Sequence, residues 1–176
     1  MSGHREQPSA WFNWHAGIIG AGAQVLDLAC GTGRHAIAAA ERGAAVTAVD
    51  SDVENLTAAR RAAGDLSVNW VSADLTRYQL PEAAFQVVMV FNYLDRGRMV
   101  DFRRAIRPGG YLMCETFLEE QREHGWGPTS EDHLLRRGEL IELASPFEIV
   151  LAREALEFVG GRPMAVASVL AQRPRE

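Results

Sequence analysis

The chain has 176 residues, of which 47% are apolar and 23% are charged, a composition typical of a single soluble globular domain. All 18 basic residues are Arg, which excludes chemistry that needs a lysine amine. The net charge of −5 disfavours nucleic-acid binding, and the strongest apolar run, Val87 to Phe91, is too short to cross a membrane. Cys30 and Cys114 show neither zinc-ligand spacing nor a disulfide framework, so we expect a cytoplasmic protein without a metal site.

Helix and strand patterns alternate along the first two thirds of the chain. An amphipathic helix is predicted over 9–19. Predicted strands follow at 24–29, 44–49, 67–71, 85–91 and 111–117, with predicted helices at 34–42, 53–63 and 96–106. A polar stretch over 118–137, a short helix over 137–143 and β-like runs at 147–158 and 164–172 complete the chain. Strand–helix alternation favours parallel strands covered by helices on both faces.

This pattern predicts an α/β fold: a Rossmann-like, doubly wound, mostly parallel seven-stranded sheet with a C-terminal antiparallel β-hairpin. We divide the single domain into an N-terminal cap helix (1–20), a cofactor-binding core (21–117), a variable acceptor-side loop and helix (118–145) and the hairpin (146–176). Because the edge of the hairpin could pair with another chain, both a monomer and a homodimer remain open.

A glycine loop, Gly31-Thr32-Gly33, follows the first predicted strand. Ligands of open parallel sheets sit beyond the carboxyl ends of the strands, and glycine lets a ligand approach the backbone closely. Asp50 ends the second strand, where a carboxylate can accept hydrogen bonds from the ribose hydroxyls of an adenosine. This feature suits both NAD and S-adenosylmethionine. Asp27 favours S-adenosylmethionine, because a carboxylate just before the loop repels a pyrophosphate and attracts an ammonium group.

Five segments, spread in order over about residues 20–173, resemble the motifs of the class I S-adenosylmethionine-dependent methyltransferases. Asp27–Gly33 resembles the first motif, and Ala48–Asp50 resembles the acidic end of the second strand. Ser72–Leu75 resembles the segment that contacts adenine. Phe85–Asn92 resembles the fourth strand, and Arg107–Leu112 resembles the entry to the fifth strand. The resemblance implies that S-adenosylmethionine is the cofactor and that Asp74 receives the adenine amine. The implied cofactor-binding residues are Asp27, Ala29, Cys30, Gly31, Gly33, Asp50, Ser51, Asp74, Leu75, Phe91 and Asn92.

Within that class the chain is similar to small bacterial methyltransferases grouped with the tellurite-resistance type, on the segments 92–96, 115–117 and 134–140. Two departures from the class pattern stand out. Ala29 replaces a glycine that many members have, and we expect it to be tolerated with little change. The segment after the fourth strand lacks Pro-Pro-Tyr, which tells against methylation of an adenine amino group or a glutamine amide.

The activity that the resemblance implies is in-line transfer of a methyl group to a small-molecule acceptor whose attacking atom is O, N, S, Se or Te. We expect Tyr93 to position the acceptor, identify no certain base, and take Arg34, Glu115, His124 and Trp14 as acceptor-side candidates. The alternatives are an RNA or protein methyltransferase, a non-catalytic S-adenosylmethionine-binding module and an NAD-binding protein. Affinity for NAD distinguishes the last of these.

Overall fold

Seven strands form one sheet in the computed structural model, which describes residues 6–175. The outer ends of the predicted cap helix (residues 1–5) and of the hairpin segment (residue 176) lie outside the described residues. The strands are β1 Gln24–Leu28, β2 Ala45–Asp50, β3 Val68–Ser72, β4 Phe85–Phe91, β5 Ile106–Phe117, β6 Glu148–Val159 and β7 Arg162–Gln172. Their order is β3-β2-β1-β4-β5-β7-β6. Strands β1 to β5 pair in parallel and β7 is antiparallel to both β5 and β6. The predicted fold class is confirmed.

Within residues 6–175, five α-helices flank the sheet: α1 Ala10–His15, α2 Arg34–Glu41, α3 Val53–Ala63, α4 Met99–Ala105 and α5 Glu139–Ala144. Side chains cap two of them as expected for Ser and Asp. Ser9 Oγ accepts a hydrogen bond from the Phe12 amide at the start of α1. Asp52 accepts the Glu54 and Asn55 amides at the start of α3, which leaves the neighbouring Asp50 outside the cap.

Two predicted boundaries in the middle of the chain are wrong. Helix α4 begins at Met99 rather than residue 96, because the Arg98 amide donates to the Asp95 carbonyl and carboxylate and closes a turn before the helix. Strand β5 begins at Ile106 rather than residue 111, because Ile106 already pairs with Phe85 before a register shift in the ladder. The first difference is local to the turn, whereas the second depends on a partner strand from another part of the chain.

The hydrophobic core lies in two layers, one on each face of the sheet. Along β4, Val87 and Met89 pack into the layer that holds α1, α2 and α3, whereas Val88 and Val90 pack into the layer that holds α4 and α5. All four side chains are almost fully buried, and burying a side chain of this kind contributes about 1.5–3 kcal/mol. This two-sided burial explains why the sequence of β4 is continuously apolar.

The strand order reverses between β1 and β4. The chain leaves β1 toward β2 and β3 on one side, and returns to β4 and β5 on the other. In open α/β sheets the crevice beyond the carboxyl ends of the strands at such a reversal is the usual ligand site. The fold therefore directs attention to the loops after β1, β2 and β4.

Candidate active site

A cavity of about 740 Å³ opens at the carboxyl ends of β1, β4 and β5. Its floor comes from the loop after β1 and from the ends of β4 and β5. Its walls come from the N-terminal segment Glu6–Ala10, from Trp126 in the long loop and from the β6–β7 hairpin. The predicted residues that line it are Ala29, Cys30, Gly31, Arg34, Phe91, Asn92 and Glu115.

The loop after β1 turns sharply, with positive φ angles at Ala29 (54°), Gly31 (55°) and Gly33 (81°). Gly31 lines the cavity, and a Cβ added there would meet open space. Gly33 has a packing role instead, because a Cβ there would lie 2.6 Å from the ring of Trp70. The left-handed backbone at Ala29 costs about 1–2 kcal/mol for a residue with a Cβ. The structure accommodates the alanine in this strained backbone, and the expectation that it changes little stays a prediction.

Asp27 lies in the middle of the sheet, paired with Ala48 of β2 and Met89 of β4, and only 1% of its surface is exposed. Its Oδ2 is buried without a hydrogen-bond partner among the described residues. Burial raises the pKa of the Asp27 carboxyl to about 7, opposed by a hydrogen bond from the Ala36 backbone and by the charge of Arg34. A buried carboxylate with an oxygen that lacks a partner is suited to bind a cation.

Asp50 joins the ends of the first two strands. Its Oδ2 accepts the Gly31 amide at 2.7 Å and its Oδ1 accepts the Asp52 amide at 2.9 Å. A carboxylate has about four acceptor positions, so these two bonds leave acceptor capacity for ribose hydroxyls. Ser51, next to it, is exposed.

Asp74 lies beyond the end of β3, the strand beside β2, and the Ala73 amide donates to the Asp50 carbonyl. The Asp74 carboxylate accepts the amide and hydroxyl of Thr76, which lower its pKa. Leu75 is buried in the core beneath this turn. The acidic side chains of residues 50 and 74 thus lie on adjoining loops, outside the 740 Å³ cavity.

His35 is a site residue that the sequence did not single out. It is 3% exposed, lines the cavity and stacks on Phe91 with ring centroids 3.8 Å apart. Its Nε2 accepts the Ser9 amide at 3.1 Å, so the ring fixes the N-terminal segment against the cavity. Burial and the nearby Arg34 charge lower the pKa of His35 well below its usual value, so the ring is neutral near pH 7.

Arg34 and Thr32 also hold the N-terminal segment in place. The Arg34 guanidinium donates to the Gln7 carbonyl at 3.3 Å, and the Thr32 hydroxyl donates to the Glu6 carboxylate at 3.4 Å. Arg34 lines the cavity, but its side chain is hydrogen-bonded to the N-terminal wall, and its role toward an acceptor stays a prediction.

Glu115, near the end of β5, is 2% exposed and lines the cavity. Its Oε2 accepts hydrogen bonds from Ser168 Oγ at 2.5 Å and from Arg153 at 3.2 Å. Arg153 also pairs with Glu157, another cavity-lining carboxylate, and its guanidinium lies over the rings of Trp11 and Trp14. Burial raises the pKa of Glu115, partly offset by the hydrogen bond from Ser168.

Three predicted acceptor-side residues do not line the cavity, and each correction has a local cause. Trp14 is 62% exposed because Trp11 and Phe12 occupy the buried face of α1. Tyr93 packs against the core layer of α4 and α5, with its hydroxyl bonded to Asp95. His124 ends a short 3₁₀ helix, and the turn after it brings Trp126 to the cavity instead.

Trp126 is held firmly in the cavity wall. Its Nε1 donates to the Pro163 carbonyl at 2.7 Å, and its ring meets Phe117 edge to face, with centroids 6.0 Å apart. Phe158 and Met164 of the hairpin complete an apolar wall. The sequence gives no local signal for this wall, because its members come from four separate segments.

Comparison with known proteins agrees with this geometry. Residues 25–110 match the sequence profile of a family described as "Methyltransferase domain". This match covers just under half of the chain. An uncharacterised methyltransferase of Mycobacterium bovis is 33% identical over 112 residues, 60% of this chain and 57% of that protein. The chain thus spans little more than half the length of this relative.

Solved structures share the fold of this chain. A S-adenosylmethionine-dependent methyltransferase from Methanosarcina mazei superposes with a TM-score of 0.76 at 18% identity, covering 97% of this chain and 100% of that chain. TehB from Haemophilus influenzae has a TM-score of 0.80 at 18% identity, and the superposition covers 94% of this chain and 62% of TehB. The predicted resemblance to class I methyltransferases is confirmed.

Two further findings concern the described residues alone. Within 6–175, no helix is both long and apolar enough to cross a membrane. In the same part of the chain, no group of three or more His, Cys, Asp or Glu side chains could hold a metal ion.

Proposed function

We propose that this chain binds S-adenosylmethionine and transfers its methyl group to a small-molecule acceptor. The observation that carries the proposal is Asp27, a buried carboxylate at the strand reversal whose Oδ2 has no hydrogen-bond partner among the described residues. A pyrophosphate placed on the adjoining glycine loop would be repelled by this carboxylate. An ammonium group would instead restore the missing partner.

The remaining cofactor contacts are assigned residue by residue. Asp50 accepts the ribose hydroxyls and Asp74 accepts the adenine amine, with Ser51 and Leu75 beside them. The loop residues Ala29, Cys30, Gly31 and Gly33 shape the space for the methionine part, and Phe91 and Asn92 face it from the end of β4. The Cys30 thiol serves as a neutral wall, because its burial raises its pKa.

The bound cofactor supplies a methyl group on a positively charged sulfonium, which leaves as a neutral thioether. The chain therefore has to hold the acceptor in line with the methyl carbon and the sulfur, and positioning of this kind corresponds to effective molarities of about 10⁵–10⁸ M. His35 and Arg34 contribute by fixing Glu6–Ala10 over the cavity, which restricts the acceptor and excludes water.

A small acceptor is favoured by the size and enclosure of the cavity. Its volume of about 740 Å³ lies within the range of small-molecule sites, roughly 300–1,000 Å³. The wall opposite the glycine loop is formed by the chain's own hairpin and by Trp126, which narrows the space available to a macromolecule. A non-catalytic module remains distinguishable, because it would bind cofactor without turnover.

Calorimetric titration with S-adenosylmethionine, S-adenosylhomocysteine and NAD tests the cofactor. We expect micromolar binding of the first two and no binding of NAD. Asp50→Ala should weaken cofactor binding at least tenfold with the fold intact, whereas Asp65→Ala, in the exposed turn after α3, serves as the matched control. Binding of NAD alone, or an unchanged affinity for Asp50→Ala, would contradict the proposal.

A further inference from the structure

The acceptor side of the cavity carries more negative than positive charge. Glu115, Glu157 and Glu6 line it, against the single guanidinium of Arg34 among the described lining residues. Arg34 is already hydrogen-bonded to the N-terminal segment. Two further cations lie nearby without lining the cavity: Arg153 is bound to Glu115 and Glu157, and Arg162 lies over the Trp126 ring. An anionic acceptor would therefore meet carboxylates without a cation directed at it.

The rest of the acceptor side is an apolar, largely aromatic surface. Trp126 and Phe117 meet edge to face, and the wall continues through Met164 and Phe158. Phe158 is 71% exposed at the rim, a position where bound acceptor would cover it. Aromatic faces attract both flat apolar groups and cations, so such a wall suits a positively charged group attached to an apolar body.

Glu115 lines the cavity beside this surface and keeps one carboxylate oxygen available. Both of its hydrogen bonds end on Oε2, from Ser168 and Arg153, and no bond to Oε1 occurs among the described residues. The side chain is 98% buried, yet it lines the cavity. Oε1 therefore keeps its acceptor capacity, and the bonds from Ser168 and Arg153 fix the orientation of the carboxylate.

Given the methyltransferase function proposed above, we propose that the acceptor is an alkyl amine on a flat apolar body, and that Glu115 binds its ammonium group and takes its proton. The apolar body lies against Phe117, Trp126, Phe158 and Met164. Glu157, at the rim, adds a second carboxylate for the cation.

The proposed step conserves atoms and charge. One N–H bond of the ammonium breaks and its proton moves to Oε1 of Glu115, which leaves a nitrogen lone pair. That pair forms the new N–C bond to the methyl group while the electrons of the S–C bond return to sulfur. The products are the methylated ammonium and S-adenosylhomocysteine, and Glu115 then releases the proton to solvent. Burial favours this transfer, because it raises the pKa of a carboxyl and lowers that of an amine.

The test uses three probes that share one apolar body: 2-phenylethylamine, 2-phenylethanol and phenylacetate. Each is titrated into the protein saturated with S-adenosylhomocysteine, and methyl transfer is followed with isotope-labelled S-adenosylmethionine. We expect the amine to bind at least tenfold more tightly than the alcohol and the carboxylate, and to be the probe that becomes labelled.

Three variants then assign the effect to Glu115. Glu115→Gln should lower amine affinity at least tenfold and labelling more strongly, while binding of 2-phenylethanol changes less than twofold. Glu115→Asp should retain part of the amine preference. Glu154→Gln is the control, because Glu154 lies on the outer strand β6 but bonds to the Gly138 amide and Arg137, away from the cavity. Binding of S-adenosylhomocysteine to each variant shows that it is folded.

The outcomes separate the two proposals. If S-adenosylhomocysteine does not bind the unmodified protein, the methyltransferase function fails. If it binds, but the amine does not bind or binds no better than phenylacetate or 2-phenylethanol, the amine proposal is overturned and the cofactor proposal survives. An equal loss of amine and alcohol binding in Glu115→Gln would also overturn it, since that result indicates a structural role alone.

Discussion

Asp27→Asn should change stability and cofactor affinity in opposite directions. The substitution keeps the shape of the side chain and removes its charge. In the folded chain without cofactor, the buried carboxyl has a pKa of about 7, against 3.8 as its ordinary value. The folded state therefore holds a proton that the unfolded state has lost between these two pH values. It follows that stability falls as pH rises from about 4 to about 7, and that the full cost is present above 7.

The magnitude follows from the size of the pKa shift. A shift of about three units at 1.36 kcal/mol per unit sets an upper bound of about 4 kcal/mol for the cost of the charge. An asparagine amide at the same place also lacks a partner, and a buried unsatisfied group costs about 1–3 kcal/mol. We therefore expect Asp27→Asn to stabilise the free protein by about 1–3 kcal/mol at pH 8, and by less at pH 5.

Cofactor binding should respond the other way. Loss of a charge-assisted hydrogen bond to the ammonium costs about 1.5–3 kcal/mol, or roughly 10- to 150-fold in Kd. Because the ammonium binds the ionised carboxylate, the affinity of the unmodified protein for the cofactor should rise with pH up to about 7. Asp27→Asn lacks the titrating carboxyl, so its affinity for the cofactor should depend less on pH.

Denaturant unfolding without cofactor and calorimetry with S-adenosylmethionine, each from pH 5 to 8, measure the two effects. Asp65→Asn changes the same charge in an exposed turn and should alter neither. The reasoning is refuted if Asp27→Asn binds the cofactor as tightly as the unmodified protein. It is also refuted if the stability difference between the two does not grow with pH, because the buried charge would then not be the cause.

Three further substitutions test the loop and the N-terminal segment. Ala29→Gly should stabilise the free protein by about 1 kcal/mol, because it relieves the left-handed backbone; a destabilised variant in denaturant unfolding would argue against strain there. Gly33→Ala should destabilise the folded protein by more than about 1 kcal/mol, because the new Cβ collides with the ring of Trp70. Adding Trp70→Leu should partly restore the melting temperature of that variant. His35→Phe keeps the ring stack and removes the acceptor of the Ser9 amide, so hydrogen exchange at Ser9 should accelerate. Because burial lowers the pKa of His35, the stabilisation that the neutral ring provides is lost as pH falls below 6.5. The difference in unfolding free energy between the unmodified protein and His35→Phe should therefore narrow at low pH.

The sequence by itself determined the features that depend on neighbours along the chain. Continuous apolar runs such as β4 give buried strands, and glycines end the helices between them. Asp27 and the glycine loop are only a few residues apart, so their chemistry and the turn between them could be read together. Asp50 could be placed with them, because the carboxyl ends of parallel strands meet at one edge of a sheet. The fold, and the position of the cofactor site that we propose, follow from these local patterns.

Only the tertiary structure decided the acceptor side. Glu115 meets Ser168 and Arg153 across 53 and 38 residues, and His35 meets the Ser9 amide across 26. Sequence patterns record how apolar a position is but do not record which distant group it meets. For that reason Trp14, Tyr93 and His124 were plausible candidates in the sequence, whereas the structure directs Trp126, Phe158 and Glu157 to the cavity. The folding of the hairpin against β5 places these groups together, because it brings segments far apart in the chain to one end of the sheet.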